Sequence, residues 1–242
     1  MRPRRTDFTA AFLRSFAIQG SWNYRTMIGG GMGYAVSPLL QRIHAGDPVA
    51  LRSALERHAG SFNAHPYLST VAIGALARLE NDGGDPETFQ RFRTALRGPL
   101  GALGDQAVWA GWRPLCILVA IALFCLGVEP RVAALGFFIL YNAGHVWLRL
   151  WGIRAGWAAG LEVGGVLNRS PLRSVARRLT PVNEALTGVV LVLLVARTPG
   201  LQFSPAATGL ATAAALAAFF APAPGGRLGM LVLFAAIAVW WI

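Results

Sequence analysis

Apolar runs fill the second half of the chain and set the strongest limit on its fold. The five runs lie at 114–128, 132–150, 182–196, 205–221 and 228–242. Each is close to the lower end of the roughly 17–25 residues that a membrane-spanning helix needs. Only 14% of the residues are charged, against about 25% in a soluble domain, so a water-facing surface would lack charge. We therefore predict an all-α integral membrane protein with about five spanning helices in its C-terminal half.

The basic residues predict the topology. All 22 are arginines, and with 11 acidic residues they give a net charge of +11. Because basic loops stay on the cytoplasmic side, we expect residues 1–113 and 149–178 inside, and the turns at 129–131 and 198–204 outside. The N-terminus is then cytoplasmic and the C-terminus outside. No nucleic-acid partner is expected, because the arginines flank apolar runs and do not gather on one basic face.

The first half contains shorter apolar segments, at 29–40, 66–79 and 98–112, each interrupted by glycine or proline. Such segments are typical of re-entrant or discontinuous helices in transporters. Between them, Asp47 and Pro48 form a good helix start, and the helix that follows is amphipathic, which suits the membrane interface. We divide the chain at residue 113, within one integrated membrane domain. A soluble helical domain that caps a membrane anchor is the alternative.

Polar clusters in the first half carry the chemistry. The first, at 16–23, reads FAIQGSWN; the second, at 57–67, reads RHAGSFNAHPY; the third begins with GPLGALGD at 98–105. Amides donate to and accept from neighbouring hydroxyls, and an aromatic face covers the C–H side of a pyranose. The first cluster therefore suits sugar binding, although a polar helix entry has the same composition.

These blocks, in this order, resemble one known family. The sequence reads FLRSxxxQGSWN, RHxxxFNxHPY, LE at 79–80, GPLxxxGDxxxW and RP at 113–114, followed by FFILYN at 137–142 and then LR at 148–149. This pattern resembles the IID component of the mannose-family (mannose, fructose, sorbose) phosphotransferase system over residues 8–165. Beyond that point only the hydrophobic pattern agrees. Within the resemblance, Ser61 and the residues 106–108 depart from the pattern.

The resemblance implies a function and a set of partners. It implies a multi-pass subunit of the bacterial cytoplasmic membrane that forms a sugar permease with a IIC subunit, as a homo-oligomer of IIC–IID pairs. Cytoplasmic IIA and IIB carriers relay phosphate, and IIB phosphorylates a hexose-type sugar. It also implies no catalytic residue, no phosphorylated histidine, no cofactor and no metal. The alternative is a membrane interaction or regulatory protein of the same fold without transport, which the altered block after Asp105 motivates.

We expect the substrate path or the IIC interface to use polar and aromatic residues of the three clusters. Asp105 is either an acceptor for sugar hydroxyls or a counter-charge for Arg113, with an interfacial helix cap as the alternative. Asn63 either binds sugar or closes an Asx-turn. The full set is Gln19, Trp22, Asn23, Asn63, His65, Asp105, Trp109 and Arg113.

Several of these residues have a second interpretation. Helix capping competes for Gln19 and Asn23, and membrane-interface anchoring competes for Trp22 and Trp109. As secondary candidates, Asn142 and His145 share a helix face and favour contact with a partner helix. The arginines at 149 and 169–178 are assigned to topology and anionic lipid, with docking of a phosphocarrier as a secondary role.

Overall fold

The structure, a computed structural model, describes residues 1–197, which are helical apart from loops and two isolated β-bridges. This confirms the helical character that the sequence predicts. The number of spanning helices, the re-entrant segments and the division at residue 113 stay predictions, and the runs at 205–221 and 228–242 lie outside the described residues. The helices are α1 (Arg5–Ser15), α2 (Gly29–Ile43), α3 (Pro48–Ala59), α4 (Ser69–Asn81), α5 (Pro86–Gly104), a π-helical segment (Asp105–Trp112), α6 (Arg113–Cys125), α7 (Pro130–Ala159), a short 3₁₀ turn (Gly160–Glu162), α8 (Val163–Arg169) and α9 (Leu172–Arg197).

The described residues belong to two compact units, which alternate along the chain. The first unit contains Met1–Asp105 and Gly144–Arg173. The second contains Gln106–Ala143 and, among the described residues, 174–197. Each unit is therefore built from segments that are far apart in sequence.

Helices α2 and α4 form the core of the first unit, and most of their residues are buried. The glycines of α2 allow this packing. A Cβ atom on Gly31 would lie 1.9 Å from the Ile18 carbonyl oxygen, and one on Gly29 would lie 1.9 Å from the Gly60 oxygen. The loop after α1 and the end of α3 therefore contact the α2 backbone directly.

Helix α4 also crosses α7 at backbone distance. A Cβ atom on Gly74 would lie 2.2 Å from the Ile153 oxygen, and one on Gly156 would lie 2.1 Å from the Val71 oxygen. Small residues on both helices are what permits such an approach, and the same device is common between membrane helices. This crossing joins the two sequence segments that make up the first unit.

The amphipathic helix starts where its sequence predicts. Pro48 is the first residue of α3, and the Asp47 carboxylate accepts a hydrogen bond of 2.9 Å from the Ala50 backbone N–H. The cap satisfies one of the backbone N–H groups that the first helical turn leaves without a partner. The prediction of this helix start is confirmed, and its position in the membrane interface stays a prediction.

Candidate functional site

The first polar cluster forms the loop between α1 and α2, and Asn23 folds that loop. The Asn23 side-chain oxygen accepts from the backbone N–H groups of Arg25 (3.0 Å) and Thr26 (2.9 Å), and its amide donates to the Thr26 hydroxyl (2.8 Å). This is an Asx-turn. Gln19 and Trp22 lie exposed on the same loop, and the Trp22 ring meets Tyr24 edge to face at 4.8 Å.

Backbone hydrogen bonds bring the second cluster to this loop. The Phe62 N–H donates to the Thr26 oxygen (3.1 Å), and the Ile28 N–H donates to the Phe62 oxygen (3.1 Å). Met27, between them, has a φ of 54°, the left-handed conformation that non-glycine residues rarely adopt. Backbone in such regions costs of order 1–3 kcal/mol and clusters at functional sites. Because Phe62 makes both of these backbone hydrogen bonds, the next residue, Asn63, lies close to the first loop.

The third cluster joins the second through a close contact with His65. A Cβ atom on Gly104 would lie 2.2 Å from the His65 Cβ atom, so only glycine fits at that position. A Cβ atom on Gly101 would lie 3.9 Å from the Ala64 Cα atom. The end of α5 thus packs against residues 64–65, and Asp105 is the next residue along the chain.

Three of the candidate side chains are exposed and have no partner among the described residues. The carboxamides of Gln19 and Asn63 and the carboxylate of Asp105 make no hydrogen bond or ion pair there. Asn63 thus lacks, among residues 1–197, the side-chain bond that an Asx-turn needs, and Asp105 forms no ion pair with Arg113. These groups are available to a ligand or to a partner chain, whereas the Asn23 side chain is engaged in its loop.

A buried cation lies beside this site. Arg149 is only 3% exposed, and its guanidinium donates to His145 Nε2 (2.9 Å) and to the Ser15 carbonyl oxygen. It lies 4.8 Å from the centre of the Tyr67 ring, which stacks on His145 at 4.2 Å. The assignment of Arg149 to topology and lipid therefore misses its role, because the chain uses it to join α1, the 65–67 segment and α7.

Arg93 is a second residue that the sequence reasoning missed. Its guanidinium donates to the carbonyl oxygens of His58 (3.1 Å), Gly60 (2.6 Å) and Ser61 (2.8 Å). Carbonyls at a helix C-terminus lack partners of their own, so Arg93 caps α3 and holds the segment that leads to Asn63. The sequence signal that could identify it is the spacing of Arg93 with Phe89, Leu96 and Leu100, which places an arginine on the buried apolar face of α5.

Glu80 is the centre of a charged cluster beneath α3. Its carboxylate accepts bidentate hydrogen bonds from Arg57 at 3.0 Å and lies 3.6 Å from His58 Nε2. Burial lowers the pKa of His58. Burial of Glu80 opposes its charge, but hydrogen bonds and charges from His58 and Arg57 hold its pKa below the usual value. The acid of the LE motif is thus structural and ties α4 to α3.

In the second unit, Arg113 and Trp109 contact each other. The Arg113 guanidinium lies 4.9 Å from the centre of the Trp109 ring, on neighbouring turns of one continuous helix. The Asn142 amide donates to the Phe138 oxygen (2.8 Å) of its own helix. The first unit contains Gln19, Trp22, Asn23, Asn63, His65, Asp105 and His145, and the second unit contains Trp109, Arg113 and Asn142.

The His65 environment predicts a pH dependence of stability. Burial, assisted by the positive charge of Arg149, lowers the pKa of His65 from 6.5 to about 4. Between these values the unfolded chain binds a proton that the folded chain does not, so the free energy of unfolding falls as the pH drops from about 6.5 to about 4. At about 1.4 kcal/mol per pKa unit, the loss is on the order of 3 kcal/mol.

Thermal unfolding in detergent between pH 4.5 and 7.5 measures this effect. The variant His65→Asn should show a clearly shallower fall in Tm with acid, and the residual slope should shrink further when His58 is also replaced. The same slope in His65→Asn and in the unsubstituted protein would contradict the assignment.

Two helical stretches, Pro86–Cys125 and Pro130–Arg197, are long and apolar enough to cross a membrane. Only 22% and 11% of their most apolar 18-residue windows are buried. The core helix of a soluble protein buries most of its apolar side chains, so these exposed apolar surfaces suit lipid or a partner helix. Exposed apolar helical stretches of this length are typical of a helical membrane protein.

Residues 4–214 match the PTS system mannose/fructose/sorbose family IID component, and the chain belongs to this family. The family resemblance of the sequence motifs is confirmed. The mannose-specific EIID component of Escherichia coli K12 is 28% identical over 174 residues, 68% of this chain and 61% of that protein. The fructose permease IID component of Bacillus subtilis is 28% identical over 67% of this chain and 60% of its own length. The chain thus spans about three fifths of these relatives.

Two solved structures have a similar fold. One, described as a membrane protein, has a TM-score of 0.68 and 25% identity over 78% of this chain and 70% of its own. The cryo-EM structure of the mannose transporter ManYZ in complex with microcin E492 has a TM-score of 0.62 and 21% identity over 99% of this chain and 88% of its own. The second likeness shows a shared fold.

Proposed function

We propose that the chain is the IID subunit of a sugar permease, which forms the translocation unit with a IIC subunit while IIB phosphorylates the sugar at the cytoplasmic face. The observation that carries this proposal is that the unengaged groups of Gln19, Asn63 and Asp105 and the Trp22 indole belong to one compact unit, in which residues 62–65 contact both the first loop and the end of α5. Amide and carboxylate oxygens suit the hydroxyls of a sugar, and an exposed indole suits its C–H face.

The partners and the topology belong to the same proposal. The likeness to the ManYZ transporter complex supports assembly with a membrane partner. Placement of the arginines supports a cytoplasmic N-terminus and an external C-terminus, with the chain crossing the bacterial cytoplasmic membrane several times. The family match runs through residues 106–108, the block that motivated a regulatory role, so that alternative is not favoured.

Asp105→Asn tests the proposed site. The substitution keeps the shape of the side chain and removes its charge, so hydrogen bonds from sugar hydroxyls lose charge assistance. Such bonds contribute about 1.5–3 kcal/mol, and we expect labelled-sugar uptake to fall at least about tenfold. The amount of protein in the membrane should not change, because the Asp105 side chain has no partner among the described residues.

The matched control is Glu87→Gln, since Glu87 is an exposed carboxylate of α5, with 79% of its side chain accessible and paired with Arg91. It removes the same charge from the other end of the same helix and should leave uptake unchanged. Uptake by Asp105→Asn equal to that of Glu87→Gln would show that the Asp105 carboxylate does not act on sugar.

A further inference from the structure

A proline follows the π-helical segment Asp105–Trp112, in the first turn of α6. Pro114 has no backbone N–H, so the Ala110 oxygen, four residues earlier, loses its α-helical donor. A π-helix is rare, occurs mostly as single turns, and is frequent at functional sites. The segment lies within a stretch long and apolar enough to cross a membrane, where an unsatisfied carbonyl is costly.

Asn183 of α9 supplies the missing donor. Its side-chain amide donates to the Ala110 oxygen (3.1 Å) and to the Gly111 oxygen (2.8 Å), and the residue is only 7% exposed. Leu179, four residues earlier on the same face of α9, lies against Gly111, where a Cβ atom would be 2.9 Å from Leu179 Cδ1. Helix α9 therefore docks on the C-terminal end of the π-helical segment, and the contacting residues 110–111 and 179–183 lie in the second unit.

The chain keeps a polar group here at a cost. The Asn183 side-chain oxygen is buried and has no hydrogen-bond partner among the described residues. A buried acceptor without a partner costs about 1–3 kcal/mol. Any stabilisation by the Asn183 side chain therefore comes from the hydrogen bonds that its amide N–H groups donate. Polar residues within membrane helices are rare and usually serve function.

We infer that Asn183 is a positioning residue for transport, and this inference rests on the proposed function. Its amide holds the π-helical form of the segment that begins at Asp105 and carries Trp109. Without that amide, the Ala110 and Gly111 carbonyls must find donors within their own helix. Pro114 offers the Ala110 oxygen no N–H within an α-helix, so the backbone of this turn must shift, which changes the direction in which Trp109 projects from the helix.

The test uses the full chain, co-expressed with its IIC subunit and the cytoplasmic phosphocarriers. Asn183→Leu keeps the volume and removes the amide. We expect normal amounts in the membrane, normal co-purification of IIC, and a Vmax/KM for labelled-sugar uptake about tenfold lower per folded protein, as for loss of about 1.4 kcal/mol. The control is Thr187→Val, which removes the hydroxyl that donates to the Asn183 backbone oxygen (2.7 Å); it should leave KM and Vmax unchanged.

A second variant and a second readout keep the inference falsifiable. If Asn183→Leu accumulates poorly, Asn183→Ser decides, because a serine hydroxyl is tolerated in membrane helices but is too short to hold both carbonyls. Maleimide labelling of Trp109→Cys needs no transport, and its rate should change several-fold when Asn183 is replaced. Unchanged labelling together with unchanged Vmax/KM in the Asn183 variants overturns the inference. If the unsubstituted protein carries no sugar but replacement of Asn183 still alters the labelling of Trp109→Cys, only the proposed function is overturned.

Discussion

Gly156→Ala is expected to destabilise the first unit strongly. The added Cβ atom lies 2.1 Å from the Val71 oxygen and 2.9 Å from the Ala75 nitrogen. Both are backbone atoms of α4, so a change of side-chain rotamer cannot relieve the clash. The two helices must therefore move apart. Overpacking of this kind costs about 3 kcal/mol, which should lower the Tm in detergent by roughly 6–12 °C.

Gly136→Ala is the matched control, because it makes the same change in the same helix. A Cβ atom on Gly136 would meet no atom within 4 Å. Alanine favours the helix over glycine by up to about 1 kcal/mol, so the Tm should stay the same or rise slightly. Equal Tm values for the two variants would contradict the close crossing of α4 and α7.

Arg149→Met is expected to have the second large effect. Methionine keeps the apolar stem and removes the guanidinium, which leaves the Ser15 oxygen and His145 Nε2 without this donor. Hydrogen bonds to charged groups contribute about 1.5–3 kcal/mol each. Since desolvation of the cation opposes part of this, we expect a net loss of about 3 kcal/mol, measured as a lower Tm together with lower sugar uptake.

Arg154→Met is the control that distinguishes loss of the buried Arg149 contacts from loss of a positive charge on α7. Arg154 also lies on α7, but it is exposed and makes no hydrogen bond or ion pair among the described residues. If Arg149 acted only through topology and lipid, the two variants would behave alike. A large Tm difference between them is what the buried contact requires, and equal Tm values would refute it.

Local signals in the sequence predict local structure well. Asp47 and Pro48 predict the start of α3 because a cap depends only on residues within one turn. Proline is a weaker signal. Pro38 and Pro99 interrupt the predicted segments, yet α2 and α5 run through them. A proline removes one backbone hydrogen bond, and neighbouring helices can compensate for that loss.

The sequence predicts the polar residues of the site but not the residues that hold them. The motifs identify Gln19, Asn63 and Asp105 because their residue types are unusual beside apolar runs. Arg93, Arg149 and Asn183 were missed, since each donates to backbone carbonyls that are distant in sequence, between 32 and 134 residues away. Every residue has a backbone carbonyl, so the amino-acid type does not show which carbonyls need a side-chain donor. Only the fold reveals these contacts.

Uptake of labelled hexoses tests the central claim most directly. Bacterial cells that lack a mannose-family permease would express the IIC subunit and the phosphocarriers, with or without this chain. We expect uptake and sugar phosphorylation only when this chain is present, together with co-purification of IIC and this chain from the membrane. Equal uptake without the chain, or no complex and no uptake for any hexose or hexosamine, would contradict its assignment as the IID subunit of a sugar permease.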